Sequence, residues 1–238
     1  MCGRFNLRIT AADLESLFGT TEQGIRSKPD EFDSCLTRFN IAPTQKSIVC
    51  HLGESGSPVV TPMRWGLIPS WAKDLRIGAK MINARSETVA EKPSFRTAFK
   101  RRRCLIPASG FYEWKRNGKE KQPFHIHQTD DSPFVMAGLW EVLKQTAGPD
   151  SDEPSEILSF TILTAAANSF MSSIHDRMPV ILNEESAAVW LDHEVEPTAL
   201  NELIQPFEWE NFEAVPISST VNNARNETPD CLIPLSQN

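Results

Sequence analysis

The chain opens MCGRF, which places a cysteine directly behind the initiator methionine. Cysteine is small enough for ordinary methionine trimming, so the mature chain is expected to start at Cys2, with a free α-amine and a thiol on one residue. That pair is a 1,2-aminothiol, a reagent for aldehydes. With a pKa near 7.7–8.0, an α-amine is neutral in roughly a tenth of molecules at pH 7, against about one in two or three thousand for a lysine. An imine formed there can be captured by the adjacent thiol, closing a five-membered thiazolidine ring, and sharing one residue gives the second step a large proximity advantage. Taken alone, the cysteine can equally be a small buried core residue.

Such a condensation needs protons moved, to the aldehyde oxygen as the amine adds and to the hydroxyl that leaves as water. A carboxyl and an imidazole are the natural agents. Glu113 lies in GFYEW, where period-2 alternation sets it on one strand face with Phe111, and Tyr112 with Trp114 on the other. Partial burial there raises its pKa and suits it to carry a proton, although a strand glutamate is more often a solvated surface residue. His175 in SSIHDRMPVIL is followed by Asp176 and Arg177, close enough to orient it or to form a separate ion pair. A histidine titrates near neutrality; a structural hydrogen bond to backbone is the competing role. Asn83 offers both a donor and acceptors for positioning the N-terminus and its substrate. His125 and His127 sit two apart, without a cysteine or carboxylate spaced to complete a metal site. No metal or other cofactor is expected, and there is no Gly-rich phosphate loop or GxSxG elbow.

These residues fall on a recognisable series of elements. A first strand is expected around residues 2–6, then a helix over TAADLESLF with Thr10 as N-cap and Asp13 in the capping-box position. Residues 20–34 are polar and read as loop. SIVCHL and PVVTPMRWGL read as strands, and SFRTAFKRRR as a helix with late positive charge. CLIPASGFYEW, KQPFHIH, PFVMAGLWEVL and ILSFTILTAA read as successive strands, divided by turn signals at Asn117-Gly118 and Asp130-Asp131-Ser132-Pro133. TAGPDSDEPSE is an acidic surface loop, and EESAAVWLD a further helix. Strands and helices without regular βαβ alternation predict an α+β fold: a single domain over residues 1–238, built on a curved, largely antiparallel β-sheet or barrel with a few flanking helices. NARSET at 83–88 recurs as NARNET at 223–228, and CLIP at 104–107 recurs at 231–234; pseudo-symmetric halves of one barrel and chance are both open readings.

Composition bounds the rest. A chain of 238 residues with 40% hydrophobic content can build a full core. No stretch approaches the ~20 apolar residues of a membrane span, and the N-terminus lacks the apolar core of a secretory signal, so a cytoplasmic protein without membrane partners is expected. Five scattered cysteines fit reduced thiols better than a disulfide framework. A net charge of −7 argues against coating nucleic acid indiscriminately, while leaving room for a local basic face. Lys100 to Arg103 is a conspicuous basic run, of a kind that is usually a solvated face.

Six segments, MCGRF, RFNIAPTQ (38–45), RWGLIPSWAKD (64–74), INARSET (82–88), SGFYEW (109–114) and IHDRMPVIL (174–182), together resemble the SRAP family, the SOS-response-associated peptidase-like proteins. Their order and spacing match over essentially the whole chain. The resemblance implies a sensor of abasic sites in single-stranded DNA that attaches itself covalently to the lesion through Cys2, with Cys2, Asn83, Glu113 and His175 as the catalytic set. It also implies self-catalysed loss of Met1, and a lyase reaction if the phosphate is eliminated. DNA is expected to be held without reading sequence, by Arg4 and Arg85 on flanking phosphates and by Trp71 and Pro43 against neighbouring bases. Relatives often carry a second bulky residue after that tryptophan, where this chain has Ala72, so the wedge is smaller here. An N-terminal-nucleophile amide hydrolase, with Cys2 attacking and its own amine as base, uses the same residues, and a noncatalytic binder of single-stranded DNA is a third reading.

Overall fold

Runs of apolar β-branched and aromatic residues dominate the chain, and pairing them satisfies their backbone groups in two sheets. A computed structural model describes residues 2–20, 24–145 and 155–235. In chain order the strands are β1 (Phe5–Arg8), β2 (Thr37–Ile41), β3 (Lys46–Leu52), β4 (Pro58–Trp65), β5 (Asn83–Arg85), β6 (Arg103–Ala108), β7 (Gly110–Asn117), β8 (Glu120–Gln128), β9 (Phe134–Gln145), β10 (Ser155–Ala166), β11 (Arg177–Pro179), β12 (Ile181–Leu182) and β13 (Phe212–Pro216). The helices are α1 (Ala11–Phe18), α2 (Pro29–Leu36), α3 (Arg96–Arg101), α4 (Glu184–Leu191) and α5 (Pro197–Leu203). The α+β expectation holds.

Strand β10 pairs with both β9 and β4, so the path β10-β4-β3-β6-β9 returns on itself as a closed barrel. Closure removes the strand edges. It also buries the inward face of β6, and α3 and α4, which lie against that strand, cover the other, which is why RCLIPA is buried at every residue instead of alternating. Most pairings are antiparallel; β10 runs parallel to β4 and β5. The second sheet has the order β13-β8-β7-β1-β2.

The chain crosses from barrel to second sheet at Ser109, between β6 and β7. Ser109 hydroxyl accepts from Arg8 N–H at 2.8 Å, and its own N–H donates to Asn6 O at 2.9 Å, locking the corner to β1. Gly110 follows because a Cβ there would lie 2.1 Å from His125 Nε2. Glu113, three residues on, is therefore aimed by a fixed corner. The aromatic core continues that link: Phe5 of β1 meets Trp65 edge-on at 5.2 Å, and the Trp65 indole N–H donates to Ile82 O at 2.9 Å, next to Asn83.

Local signals explain the helices. Helix α1 has the capping box expected, with Asp13 N–H donating to Thr10 Oγ1 at 3.3 Å and Thr10 N–H to Asp13 Oδ2 at 2.6 Å, and it ends on Gly19 at φ +61°. The 20–34 loop expectation fails at its second half, and β1 starts later than expected. Pro29 at the first helical turn and acidic residues behind it start α2, which buries Phe32 and Cys35; a polar composition hid a two-residue apolar face. The acidic 146–156 loop lies largely outside the described residues.

The basic run 100–103 divides. Arg103 is fully buried, and its guanidinium donates to the carbonyls of Trp190, Phe99, Lys100 and Asp192. Arg102 pairs with the nearly buried Glu141 at 2.7 Å. Arg103 thus fastens α3 to the end of α4, and removing it strands several buried acceptors at once. Arg103→Ala is expected to cost about 3–5 kcal/mol, lowering the melting temperature by roughly 10 °C; Arg103→Lys, with a point charge in place of the planar fork, recovers only part. A melt of Arg103→Ala superimposable on the wild type would contradict this.

The internal echo is not structural symmetry. NARSET begins on β5, whereas NARNET follows a 3-10 turn at Ser219–Asn222, and the second CLIP begins at the end of a 3-10 turn, Pro229–Leu232, instead of in a strand. The second copy seals the exposed edge of β2: Glu227 accepts from the backbone N–H groups of Phe39 and Asn40 and pairs with Arg38 at 2.8 Å.

Candidate active site

Pairing of β1 with β7 brings the N-terminus to Glu113. The register sets Phe5 opposite Phe111, and Tyr112 N–H donates to Arg4 O at 2.9 Å, so continuing it places Gly3 across from Glu113. Cys2, one residue further, is fully buried. From the barrel side, Asn83 at the start of β5 donates Nδ2–H to Cys2 O at 2.8 Å. His175, between a 3-10 turn and β11, directs Nε2 to 3.9 Å from Glu113 Oε2. The four residues expected to act together do meet, at the seam between the two sheets.

Burial sets their protonation. Glu113 is 3% exposed, and loss of solvation raises its pKa to about 7. The Cys2 thiol is pushed far up by burial and further by the Glu113 charge, so it stays protonated. Burial lowers the pKa of His175, keeping it neutral near pH 7. Two groups compete for its Nδ1: Arg177 N–H at 3.0 Å, which requires a lone pair there, and Asp176 Oδ1 at 2.9 Å, which requires a proton. The first leaves the proton on Nε2, facing Glu113; the second leaves Nε2 as an acceptor. Both sequence neighbours therefore orient the ring.

One pairing was not legible in sequence. The Arg177 guanidinium makes a two-pronged contact with Glu87 and also donates to Thr164 O, holding the Glu87 carboxyl below its usual range. Glu87 belongs to NARSET, so the pair ties the segment that follows Asn83 on β5 to the one carrying His175. Ninety residues separate the partners, and only the β5–β10–β11 arrangement joins them.

The expected DNA contacts are more dispersed. Arg85 is exposed at the end of β5, two residues from Asn83. Arg4 is half-buried, donating to Asn40 Oδ1 at 2.7 Å and Val221 O at 2.9 Å, with its guanidinium 6.0 Å from the Trp114 ring centroid. Trp71 is 59% exposed, a large apolar group in water. Pro43 is half-buried, beside Thr44 at φ +75°. Among the described residues no hydrogen bond or ring contact joins Trp71 or Pro43 to the four central residues. The His125 and His127 rings stack at 4.5 Å, and His125, held by Asn6 at 2.9 Å, is driven down to about 3 by burial. Among the described residues no group of three His, Cys, Asp or Glu side chains is placed to hold a metal, and no helix is long and apolar enough to cross a membrane.

A cleft of about 370 Å³ opens over this seam, lined by Glu113, His175, Trp114, Asn222, Arg116 and Lys121. The last two belong to the β7–β8 hairpin, whose turn at Asn117-Gly118 carries no mark of a binding role. The signal was present in KRNGKEK at 115–121, four cations in seven residues directly after GFYEW.

Residues 1–224 match the family model described as SOS response associated peptidase (SRAP). The chain is 39% identical over 237 residues to a Bacillus subtilis protein named abasic site processing protein YoqW, covering 98% of this chain and 99% of that one. It is 34% identical over 268 residues to abasic site processing protein HMCES of Xenopus tropicalis, covering 98% of this chain and 78% of that one. A crystal structure of a protein from Bacteroides thetaiotaomicron superposes with a TM-score of 0.81 at 27% identity, covering 99% of this chain and 100% of that one.

Proposed function

Because the chain belongs to the SOS response associated peptidase family, we propose that it processes abasic sites, meeting the lesion in single-stranded DNA and joining it covalently through Cys2 once Met1 is removed. The similar proteins named abasic site processing proteins supply the substrate class. The observation that carries the chemistry is the convergence of Cys2, Asn83, Glu113 and His175 at the seam of the two sheets.

An abasic deoxyribose must first open to its aldehyde, which requires a proton on the ring oxygen. The protonated minority of His175 supplies it from Nε2, with Nδ1–H held by Asp176 Oδ1 at 2.9 Å, and the C1′ hydroxyl gives up its own proton as the ring opens, restoring the imidazolium. The Cys2 α-amine adds to C1′, forming an N–C bond while the carbonyl oxygen gains a proton. That oxygen leaves as water with a second proton from Glu113, which is protonated in about half the molecules near pH 7. The thiol then adds across the imine: sulfur bonds to carbon, and the thiol proton reaches nitrogen by way of the Glu113 carboxylate. One water is released and nothing is oxidised. If a base instead removes a C2′ proton from the imine, the 3′ phosphate is eliminated, which is the lyase branch of the same intermediate. A carboxyl with a pKa near 7 can both give and take the protons these steps need.

The hydrolase alternative asks Cys2 to attack as a thiolate. Its burial and the nearby carboxylate oppose that ionisation, which favours the amine as first nucleophile. The deciding test is a denaturing gel of the protein with a single-stranded oligonucleotide carrying one abasic site, beside an undamaged strand, with intact mass verifying loss of Met1. The expected result is a heat-stable slow band on the abasic strand alone, its mass equal to protein plus strand minus one water. Protein lacking Met1 that gives no such band would sink the proposal in favour of amide hydrolysis.

A further inference from the structure

The hairpin joining β7 to β8 breaks a rule of sheet pairing. Its register sets Arg116 directly opposite Lys121, with Lys115 opposite Gln122 and Asn117 opposite Glu120. Like charges directly across an antiparallel pair repel and destabilise the pairing. Over residues 115–121 there are four cations and one acid, +4 − 1 = +3, in a chain whose net charge is −7. Among the described residues none of Lys115, Arg116, Lys119 and Lys121 takes part in an ion pair with a carboxylate. A local conflict without internal compensation marks a surface shaped for something outside the chain.

Where the conflict lies says what that is. Arg116 and Lys121 form the outer wall of the cleft whose inner wall is Glu113 and His175. A second cleft, about 390 Å³, carries the same wall past Arg116 and Lys115 to Ser173 and Asp176, and a third of about 740 Å³ continues over the hairpin face. A row of cations leading away from a reactive seam is matched by a chain of phosphates. We infer that the β7–β8 hairpin is a phosphate-binding ridge, on which Arg116 and Lys121 together hold the DNA backbone immediately beside the lesion. The inference rests on the abasic-site reading for the ligand, and it adds a binding surface that the motif residues Arg4 and Arg85 do not include. The rival basic run on α3 lacks this character: exposed Lys100 and Arg101 line a cleft with Glu194 and Glu196.

The test uses an undamaged single-stranded oligonucleotide, so that it does not depend on the covalent step. Binding is followed by fluorescence anisotropy over a salt series for the wild type, Arg116→Gln/Lys121→Gln, and Lys100→Gln/Arg101→Gln. Each phosphate contact contributes about 0.7 to the slope of log K against log salt for single strands. The hairpin double variant is expected to lose about 1.4 from that slope and to bind roughly 25-fold more weakly at 0.1 M salt. The α3 double variant, with the same change in net charge, keeps the wild-type slope. Relief of the Arg116–Lys121 repulsion leaves the hairpin variant melting no lower than the wild type, so weaker binding is not unfolding. An unchanged slope in the hairpin variant, equal losses in both doubles, or no wild-type binding to the strand overturns the inference. A wild type that binds with the expected slope but gives no covalent band leaves the ridge standing and removes the chemistry proposed for Cys2.

Discussion

Cys2→Ala, processed to a free N-terminus, is expected to lose the heat-stable DNA adduct completely while still forming an imine that a hydride reductant can trap. The alanine chain keeps the α-amine, so addition to C1′ and loss of water proceed. What disappears is the sulfur that closes the ring, and an imine left open hydrolyses on denaturation. Intramolecular capture is worth an effective concentration of about 10⁵–10⁸ M in well-oriented cases, so no external thiol at millimolar level replaces it. Cys2→Ser provides a poorer nucleophile in the same place and yields at best a weak, oxygen-containing analogue. The measurement is the denaturing gel run with and without cyanoborohydride. A heat-stable band from Cys2→Ala without reductant would move the attachment to another residue. Absence of a trappable adduct from it would mean that the amine is not the first nucleophile. The site makes the first outcome hard to obtain: Asn83 fixes the Cys2 carbonyl at 2.8 Å, so the N-terminus is held at the seam whatever the side chain.

The same residue shows how far sequence alone could be read. The reactivity of an N-terminal cysteine is local chemistry, visible in MCGRF. The alternation in GFYEW put Glu113 on one face with Phe111, and both are buried, as is Tyr112 on the other face. The capping box of α1 and the hairpin turn at Asn117-Gly118 are equally local and were equally legible. Contacts across long separations were not. That β10 returns to close a barrel depends on pairing with β4 and β9 together, and nothing within ILSFTILTAA announces two partners. Arg103 looked like the tail of a solvated basic run until α4 supplied carbonyls from 87 and 89 residues away. NARNET copies a sequence but not a place, because its surroundings are the edge of β2 and not the barrel. The like-charge pair of Arg116 and Lys121 was hidden differently: each residue reads as ordinary surface, and only the register makes them opponents.

Glu113→Gln is expected to slow adduct formation by about 10²–10⁴-fold, the usual worth of a positioned acid–base group, while making the protein more stable above neutrality. Both effects come from burial. With its pKa raised to about 7 from an ordinary 4.5, the folded state holds this proton more tightly than the unfolded chain does. Stability therefore falls as pH rises between about 4.5 and 7 and is flat beyond, since over that window the folded state binds more protons than the unfolded one. The difference of about 2.5 pH units corresponds to roughly 3 kcal/mol. Glutamine carries no charge to bury, so the variant should match the wild type in melts near pH 4.5 and exceed it at pH 8. Kinetics should mirror this. Reaction needs the amine neutral, with a pKa near 7.7–8.0, and Glu113 protonated, so the wild-type rate is bell-shaped with its maximum between about pH 7 and 8. In the glutamine variant the residual rate loses the alkaline fall and levels off as the amine deprotonates. A variant that is slow yet no more stable at pH 8 would mean that the carboxyl is not held near 7. One that is stabilised yet keeps the wild-type rate would remove Glu113 from the proton transfers. The charged carboxyl destabilises the fold at the pH where the reaction runs, and that cost remains because a group poised near neutrality at this seam can give a proton to departing water and take one from the thiol.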